Sequence, residues 1–336
     1  MRLLPVTPLL LVLTLSQSLA FAQADTPATP GQNVIPAVPQ EAVSKPVKPD
    51  AAMPDPAKAV LPSLPDLKPD ANGMLSQAQM EGLFRVVAEK DLENDKRSHD
   101  YTYIQRSEEH RLDGKGNVKS TEAKTYDVLN IYGEEVLRLT ARDDKPLSEK
   151  DAAKEEKKIQ EIIDKRKHES EKDREKRLAK EEKEREDGRQ FVREIADAYN
   201  FHLVGLEKLN GREAYIIDAE PRPGYEPHRK EAKFLPKIRG RVWIDKAELQ
   251  WVKLDAQVID TVSFGLFLAR LHKGTRFMVE TVRVNDEVWL PTHLTAKVDV
   301  RVALLKNFNV DADVTYRDYK KFRTDSKIVG AAEEVK

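Results

Sequence analysis

Residues 293–304, His-Leu-Thr-Ala-Lys-Val-Asp-Val-Arg-Val-Ala-Leu, and residues 308–317, Phe-Asn-Val-Asp-Ala-Asp-Val-Thr-Tyr-Arg, decide the fold of this chain. Apolar and polar side chains alternate one by one in both stretches, as in a β-strand with one buried face. Strands of about ten residues exceed the usual five or six and favour a large curved antiparallel sheet. The sequence therefore predicts an α+β protein whose sheet has one apolar face that needs a cover.

Shorter runs on either side extend this sheet. Asn210-Gly211 separates two such runs and is the pair that most easily adopts the positive φ angles of a tight hairpin turn. A second hairpin is predicted between residues 241–244 and 249–256, and a third between 277–284 and 289–290. Further strands are predicted in the first half of the chain, from about residues 101, 118 and 136. We expect all of these strands to form antiparallel meanders.

Three segments are predicted to cover the apolar face. Ser76 and Gln79 have the spacing of a capping box, and the apolar residues from Met80 to Val87 then fall on one helical face. A second amphipathic helix is expected at 189–199, and residues 263–268 are the third candidate. These segments are too short to cover the whole sheet. The apolar face, with only a partial lid, is therefore either a cavity or groove or an ordinary closed core.

A charged insertion over residues 148–188 divides the β-domain into parts at 73–147 and 189–323. It consists almost wholly of Glu, Lys, Arg and Asp, with opposite charges at helical spacing. One solvated helix, about 60 Å long at about 1.5 Å per residue, is the simplest interpretation. A coiled coil and a disordered segment are the alternatives, although the apolar positions are too few for a sustained heptad seam.

The N-terminal segment of residues 1–24 has the features of a secretory signal peptide. Arg2 precedes a short apolar run, and Ala22-Gln23-Ala24 forms a cleavage site, so we expect cleavage after Ala24 and a periplasmic location. An uncleaved anchor is the alternative, but the run is shorter than the roughly 20 residues of a membrane span, so no integral membrane protein is expected. Residues 25–72 contain eleven prolines and predict a disordered linker or a docking arm, and residues 324–336 predict a disordered tail.

The sequence contains few patterns that are typical of a catalytic site. The seven histidines show neither HxH nor HExxH spacing, and no GxSxG elbow or phosphate-binding glycine loop occurs. The chain has no cysteine, which excludes thiol catalysis and disulfides. We therefore expect a non-enzymatic protein with no catalytic residue, metal or cofactor. The formal net charge of −1 gives no reason to expect nucleic acid as a partner.

The predicted helix before the first strands is followed by four motifs, and together, in this order along the chain, they resemble the LolA-like outer-membrane lipoprotein-sorting family. The motifs are the hairpin at 206–215 (LEKLNGREAY), the strand and turn at 241–245 (RVWID), the start of a long strand at 289–291 (WLP), and the closing stretch at 316–322 (YRDYKKF). The resemblance covers about residues 76–322 apart from the charged insertion. It implies an unclosed β-barrel with a helical lid, and a carrier of lipoprotein acyl chains or related lipids in the periplasm.

Two classes of function remain. In the first, a lipid or acylated lipoprotein lies against the apolar face, where the candidate contacts are Leu294, Val298, Val300, Val310, Val314, Trp251 and Phe267. In this class, Arg222, Arg229 and Lys233 of the basic loop at 221–240 are candidate contacts for an anionic group, or else simply belong to a solvated loop. In the second class, the protein is an envelope sensor or scaffold that binds other envelope proteins through its charged helix and proline-rich arm.

Overall fold

A computed structural model describes residues 67–264, 269–302 and 306–322. The fourteen strands in these ranges form one antiparallel sheet. The predicted signal peptide, nearly all of the proline-rich linker and the tail lie outside the described residues. The strands are β1 (Met74–Leu75), β2 (Tyr101–Leu112), β3 (Val118–Ile131), β4 (Glu134–Arg142), β5 (Lys145–Pro146), β6 (Tyr199–Leu209), β7 (Arg212–Pro221), β8 (Ile238–Asp245), β9 (Trp251–Val258), β10 (Val262–Phe264), β11 (Ala269–Leu271), β12 (Arg276–Val284), β13 (Val288–Val302) and β14 (Lys306–Lys321).

Strands β13 and β14 contain the two alternating stretches and pair as the sequence predicts. Leu294 lies opposite Val314, and Val298 lies opposite Val310, so the apolar side chains of both strands share one face. Leu294, Val310 and Val314 are buried, whereas the alternate positions carry mostly polar and charged side chains. A shift of one residue would turn every apolar side chain of a strand toward water, which is why this register is strongly specified.

The sheet consists of two meanders that lie side by side. From β6 the spatial order runs through β7, β8, β9, β12 and β13 to β14; β14 then pairs with β2, and β3, β4 and β5 follow. β1 pairs with β6, and the β10–β11 hairpin pairs with β13. In the described part of the chain, the two ends of this order, β1 and β5, do not pair with each other. The predicted fold class, an unclosed barrel-like sheet with helices, is confirmed.

Two hairpin turns have the conformation that the sequence predicts, and a third turn differs. Asn210 and Gly211 have φ angles of 49° and 84°, as a tight turn with positive φ requires. Asn285 also has a positive φ of 50° in the predicted turn after β12. The strand predicted from Leu249 instead begins at Trp251, because Leu249 has a φ of 53° and its N–H donates to the carbonyl of Asp245 at 2.9 Å.

Two helices cover part of the concave face. Helix α1 (Gln77–Ser98) begins with the predicted capping box, in which the Gln79 N–H donates to Ser76 Oγ at 3.2 Å. Met80, Leu83 and Val87 on its inner face are fully buried. The C-terminal turns of a second helix, α3 (Glu171–Ala198), share the same core cluster. Their apolar stripes therefore form the helical part of the core.

The charged segment forms two helices, so the prediction of one long helix is corrected. Helix α2 (Glu149–Lys167) ends before Ser170, whose side chain accepts from the Asp173 N–H at 3.2 Å and caps α3. Between the helices, Glu169 pairs with Arg166 at 3.1 Å and with Arg177 at 2.9 Å. The cap starts a new helix because it satisfies backbone donors that a continuous helix would bond internally. Helix α3 also continues past the predicted boundary at residue 188, so the charged segment and the covering helix are one element.

Helix α2 is docked on strand β4, which β5 pairs only at Ala141 and Arg142. Ile159 is only 4% exposed and packs against Ile131 and Val136. Glu155 Oε2 accepts from the Leu139 N–H, and Lys158 Nζ donates to the Leu137 carbonyl, both at 3.2 Å. Two residues of the helix thus bond backbone groups of β4 that face away from β3. Such groups at a sheet edge otherwise invite pairing with another chain.

Removing these two contacts is expected to expose the edge of β4. In Glu155→Ala/Lys158→Ala, the Leu139 amide loses its acceptor, and we expect its hydrogen exchange to accelerate about tenfold, as the loss of one hydrogen bond predicts. Amide exchange followed by mass spectrometry measures this change, and analytical ultracentrifugation measures the accompanying self-association. Lys157→Ala/Glu161→Ala removes an exposed pair from the same helix and serves as the control. Equal exchange of Leu139 in both variants would contradict the edge contact.

Candidate ligand cavity

A cavity of about 290 Å³ lies between the concave face of the sheet and helices α1 and α3. Its volume is close to the lower end of the roughly 300–1,000 Å³ that is typical of small-molecule sites. Strands of both meanders and both helices contribute to its wall, so the cavity exists only in the assembled fold. Its main apolar wall residues are Phe84, Phe191, Phe201, Trp251, Leu254, Phe277, Val279 and Leu294.

Aromatic contacts hold helix α1 to the sheet at the apolar part of the cavity. The Phe84 ring meets the Phe201 ring edge-on, with centroids 5.4 Å apart, and stacks on the Trp251 ring at 5.7 Å. Such pairs stabilise a core beyond their buried area. Because Phe84 lies on α1, Phe201 on β6 and Trp251 on β9, the three rings join the covering helix to two separate strands. The result is a rigid apolar surface on one side of the cavity.

Asp91 is a buried carboxyl on the same helix. It is 9% exposed, and its Oδ2 accepts from Trp251 Nε1 at 2.8 Å. Burial raises the pKa of Asp91 well above its usual range, and the nearby Asp95 adds to this effect, whereas the Trp251 hydrogen bond opposes it. A carboxyl in this environment holds its proton more tightly than one in water.

Glu135 is a second carboxyl on the cavity wall. Its Oε2 accepts from the Tyr103 hydroxyl at 2.9 Å, and its side chain remains exposed to the open space inside the sheet. The surrounding protein nevertheless excludes enough water to raise its pKa, and the Tyr103 hydrogen bond opposes this effect. Burial, with Glu135 as the next contributor, likewise raises the pKa of Tyr103 well above its usual range. The wall therefore has a polar region as well as an apolar one.

Two cationic residues of the cavity wall contact polar side chains outside the wall. Lys253 Nζ pairs with Glu280 at 2.7 Å, and Arg239 Nη2 donates to Gln257 at 2.9 Å. Neither Glu280 nor Gln257 lines the cavity. His99, beside the cavity at the end of α1, lies 3.8 Å from Asp95. The described part of the wall thus contains both carboxyl groups, on Asp91, Asp95 and Glu135, and basic side chains that pair with other residues.

The structure distributes the predicted apolar contacts over two places. Leu294 and Trp251 line the cavity. Val310 and Val314 are buried in the neighbouring core cluster, and Val298 and Val300 are half-buried against that cluster. Phe267 lies outside the described residues. The six described residues therefore belong to the concave face, but only two of them reach the cavity.

The three predicted basic contacts lie outside the cavity wall. Arg222 donates to the Gln77 side chain at 3.2 Å and to the Tyr199 carbonyl at 3.3 Å. Arg229 pairs with Asp187 at 2.8 Å and also donates to Gln190, and both of these residues belong to α3. Lys233 is exposed. Two of the three side chains thus tie the basic loop to the covering helices.

The sequence patterns do not identify Asp91 or Glu135 as wall residues, although Asp91 leaves a signal. It lies four residues after Val87 and seven after Phe84, so it interrupts the apolar stripe of α1 with an acidic residue. An ionisable residue on the buried face of a helix indicates a paired or functional group. Glu135 has no comparable signal, because its neighbours Glu134 and Val136 do not show which way it points.

Comparison with known proteins finds similarity to solved structures alone. No protein-family model and no curated protein sequence matches the chain. Among the similar solved structures are an outer membrane lipoprotein-sorting protein domain from Vibrio parahaemolyticus (12% identity, TM-score 0.31, covering 73% of this chain and 95% of that one) and a LolA superfamily protein from Nitrosomonas europaea (10% identity, TM-score 0.28, 71% and 93%). A third is a DUF1329 family protein from Desulfovibrio piger (10% identity, TM-score 0.27, 76% and 95%).

The first two of these structures carry the name of the family that the four sequence motifs resemble. The class of protein is defined by the chain's own topology, which is an unclosed antiparallel barrel covered by helices. None of the helices in the described ranges is both long enough and apolar enough to cross a membrane.

Replacing Asp91 with Asn is expected to alter the pH dependence of stability. Because folding raises the pKa of Asp91, the native state holds this proton more tightly than the unfolded chain does. The resulting stability is complete below the unfolded-chain pKa, near 3.8, and is lost as the pH rises through the native pKa. The variant cannot ionise, so its unfolding free energy relative to wild type should increase as the pH rises from about 4 through the native pKa of Asp91. Urea denaturation at several pH values measures the difference.

Asp113 provides a control of opposite sign. Hydrogen bonds from Asn117 and the Lys115 backbone lower the pKa of Asp113 in an exposed turn. The stability that this carboxylate contributes is therefore present above the unfolded-chain pKa and is lost as the pH falls through the native pKa. In Asp113→Asn, stability relative to wild type should decrease as the pH rises through this acidic range. A flat pH profile for Asp91→Asn would show that Asp91 is not buried as described.

Proposed function

We propose that this protein is a periplasmic carrier-like protein that holds the acyl chain of a lipid or of an acylated lipoprotein. The observation that carries this proposal is the cavity of about 290 Å³ between the concave face and helices α1 and α3, with its largely apolar wall. A closed core would pack to the density of an organic crystal and leave few voids larger than a water molecule. Open apolar space of this size, walled by aromatic and aliphatic side chains, is typical of a ligand site.

An acyl chain fits the chemistry of the apolar wall. Each Å² of apolar surface removed from water stabilises the complex by about 25 cal/mol, whatever the direction of the contact. Leu254 and Val279 are only half-buried, so a ligand can still cover part of their surface. Because contacts of this kind are not directional, specificity for chain length would be modest.

The topology also provides for access. The outer strands β1 and β5 do not pair with each other among the described residues, and α2 and α3 connect the two sides of the opening. A ligand could therefore pass between the edges or beside α1 without any strand leaving the sheet. Cleavage of the expected signal peptide after Ala24 would put this site in the periplasm.

The runner-up is a sensor or scaffold that acts through protein contacts. Helix α2 favours it, because beyond its docked residues it presents exposed charged pairs such as Lys157 with Glu161. In that function the cavity would stay empty, and the partners would be other envelope proteins. Whether the purified protein contains lipid distinguishes the two functions.

Filling the cavity tests the proposal. Val279 and Met278 are neighbours on β12 and point to opposite faces, with Val279 on the cavity wall and Met278 on the outer surface. The mature protein, Val279→Trp and Met278→Trp would each be purified from the native envelope and extracted for lipid mass spectrometry. We expect acyl lipid or acylated peptide in the wild type and in Met278→Trp, and at least a tenfold loss in Val279→Trp.

Circular dichroism and thermal unfolding would show that both variants fold. Lipid that is retained equally in both folded variants would place the ligand outside this cavity. Complete absence of lipid from the wild type, together with no uptake of a long-chain alcohol in vitro, would favour the sensor or scaffold function.

A further inference from the structure

We propose that the loop between β7 and β8, residues 222–237, is the main gate through which a ligand enters and leaves the cavity, and that Glu194 of helix α3 holds this gate loop closed. The inference rests on the proposed function and adds the route of the ligand and its control. Three observations carry it: the gate loop forms part of the cavity wall, side-chain contacts hold it to α3, and the carboxylate at the centre of these contacts is incompletely paired.

The gate loop separates the cavity from water without belonging to a strand. It connects the end of β7 to the start of β8 over sixteen residues and contains only two short 3₁₀ turns. Phe234 and Leu235 line the cavity, whereas Lys230 and Lys233 are exposed. Irregular connections longer than about 12–15 residues are uncommon in compact domains and often act as lids. Moving this loop would open the wall while the strand pairs stay intact.

Glu194 holds the gate loop to α3. Its Oε1 accepts hydrogen bonds from three donors of the loop, which are the Tyr225 hydroxyl at 2.8 Å, the His228 N–H at 2.7 Å and the Arg229 N–H at 3.3 Å. The Glu194 side chain is buried between the helix and the loop, with 4% of the residue exposed. Hydrogen bonds to a carboxylate are charge-assisted and stronger than those between neutral groups. One side chain thus fixes the loop at three points.

Further contacts join the gate loop to the same helix. Arg229 pairs with Asp187 at 2.8 Å and also donates to Gln190. The Phe191 ring of α3 and the Phe234 ring of the loop have centroids 5.7 Å apart, and both side chains line the cavity. The line of contact between α3 and the loop therefore runs along the cavity wall. Separating the two elements there would connect the apolar space with the solvent.

The incomplete pairing of Glu194 favours a loop with two states. Its Oε2 is buried and has no hydrogen-bond partner in the described part of the chain. A buried oxygen without a partner costs stability in the closed state. Opening the loop would hydrate this oxygen and would break the three bonds to Oε1. Because these two effects oppose each other, the closed and open loop differ less in free energy than the three bonds alone would require, and a small open fraction follows.

Rates of ligand exchange distinguish a gate from a fixed part of the wall. When a ligand passes through a rarely open state, its association and dissociation rates are both proportional to the open fraction, and their ratio, the Kd, stays the same. The probe is parinaric acid, a fatty acid that fluoresces in apolar surroundings, and stopped-flow fluorescence on the delipidated mature protein measures both rates. In Glu194→Ala we expect both rates to rise about tenfold, with the Kd within about threefold of wild type.

A milder variant and a matched control accompany this measurement. Tyr225→Phe removes one donor to Glu194 and keeps the ring, so both rates should rise about threefold, and this variant decides the test should Glu194→Ala fail to fold. Glu207→Ala is the control, because Glu207 accepts from Trp243 Nε1 at 2.7 Å and neither residue lines the cavity. It should leave both rates as in wild type.

Two results would overturn the gate and leave the carrier function standing. The first is a folded Tyr225→Phe or Glu194→Ala protein whose exchange rates equal those of wild type. The second is a rise in the dissociation rate alone, with a matching loss of affinity, which would show that Glu194 only supports the wall around a bound ligand. Failure of parinaric acid to bind the wild-type protein would instead contradict the carrier function itself, and the gate with it.

Discussion

The pairing of β14 with β2 is the contact on which the rest of the structure depends. It joins the last strand of the domain to the first long one, from Lys321 opposite Tyr101 to Asn309 opposite Leu112. Without it, the chain would form two separate meanders, each with an apolar face open to water. With it, the apolar residues of both meanders face a common concave side. Because the two strands are far apart in the sequence, pairing them costs chain entropy. The apolar surface that both meanders bury offsets that cost.

The charged helices are a consequence of this topology. The chain must pass from β5, at one end of the strand order, to β6, near the other, and α2 and α3 make that connection. Their composition suits the task, because most of α2 faces water and only Ile159 and its neighbours need an apolar surface. The last turns of α3 become apolar where the helix reaches the concave face. One helix thus serves both as a solvated connection and as part of the cover.

The cavity results from a cover that is smaller than the face beneath it. Helix α1 is pinned by its aromatic contacts with β6 and β9, and α3 packs beside it, which leaves part of the interior unfilled. Into this space the fold brings carboxyls from α1 and β4. Ionisable groups in a partly buried apolar space are costly to stability and are commonly kept for function.

Local patterns in the sequence determined the strands, the capping box at Ser76 and the Asn210-Gly211 turn, because each depends on side chains that are neighbours along the chain. The same patterns identified the concave face through residues such as Leu294 and Val314. They did not reveal the helix break at Ser170, where a local cap competes with helix continuation and the alternating charges suit either outcome.

The tertiary structure alone decided which apolar residues pack and which line open space. Val314 and Leu294 have the same alternation and lie opposite each other, yet only Leu294 reaches the cavity. It also decided that Asp91 would meet Trp251, which is 160 residues away in sequence. Periodicity reports which face a residue occupies. How closely that face is covered depends on elements distant in the sequence, and their positions are set only when the whole sheet assembles.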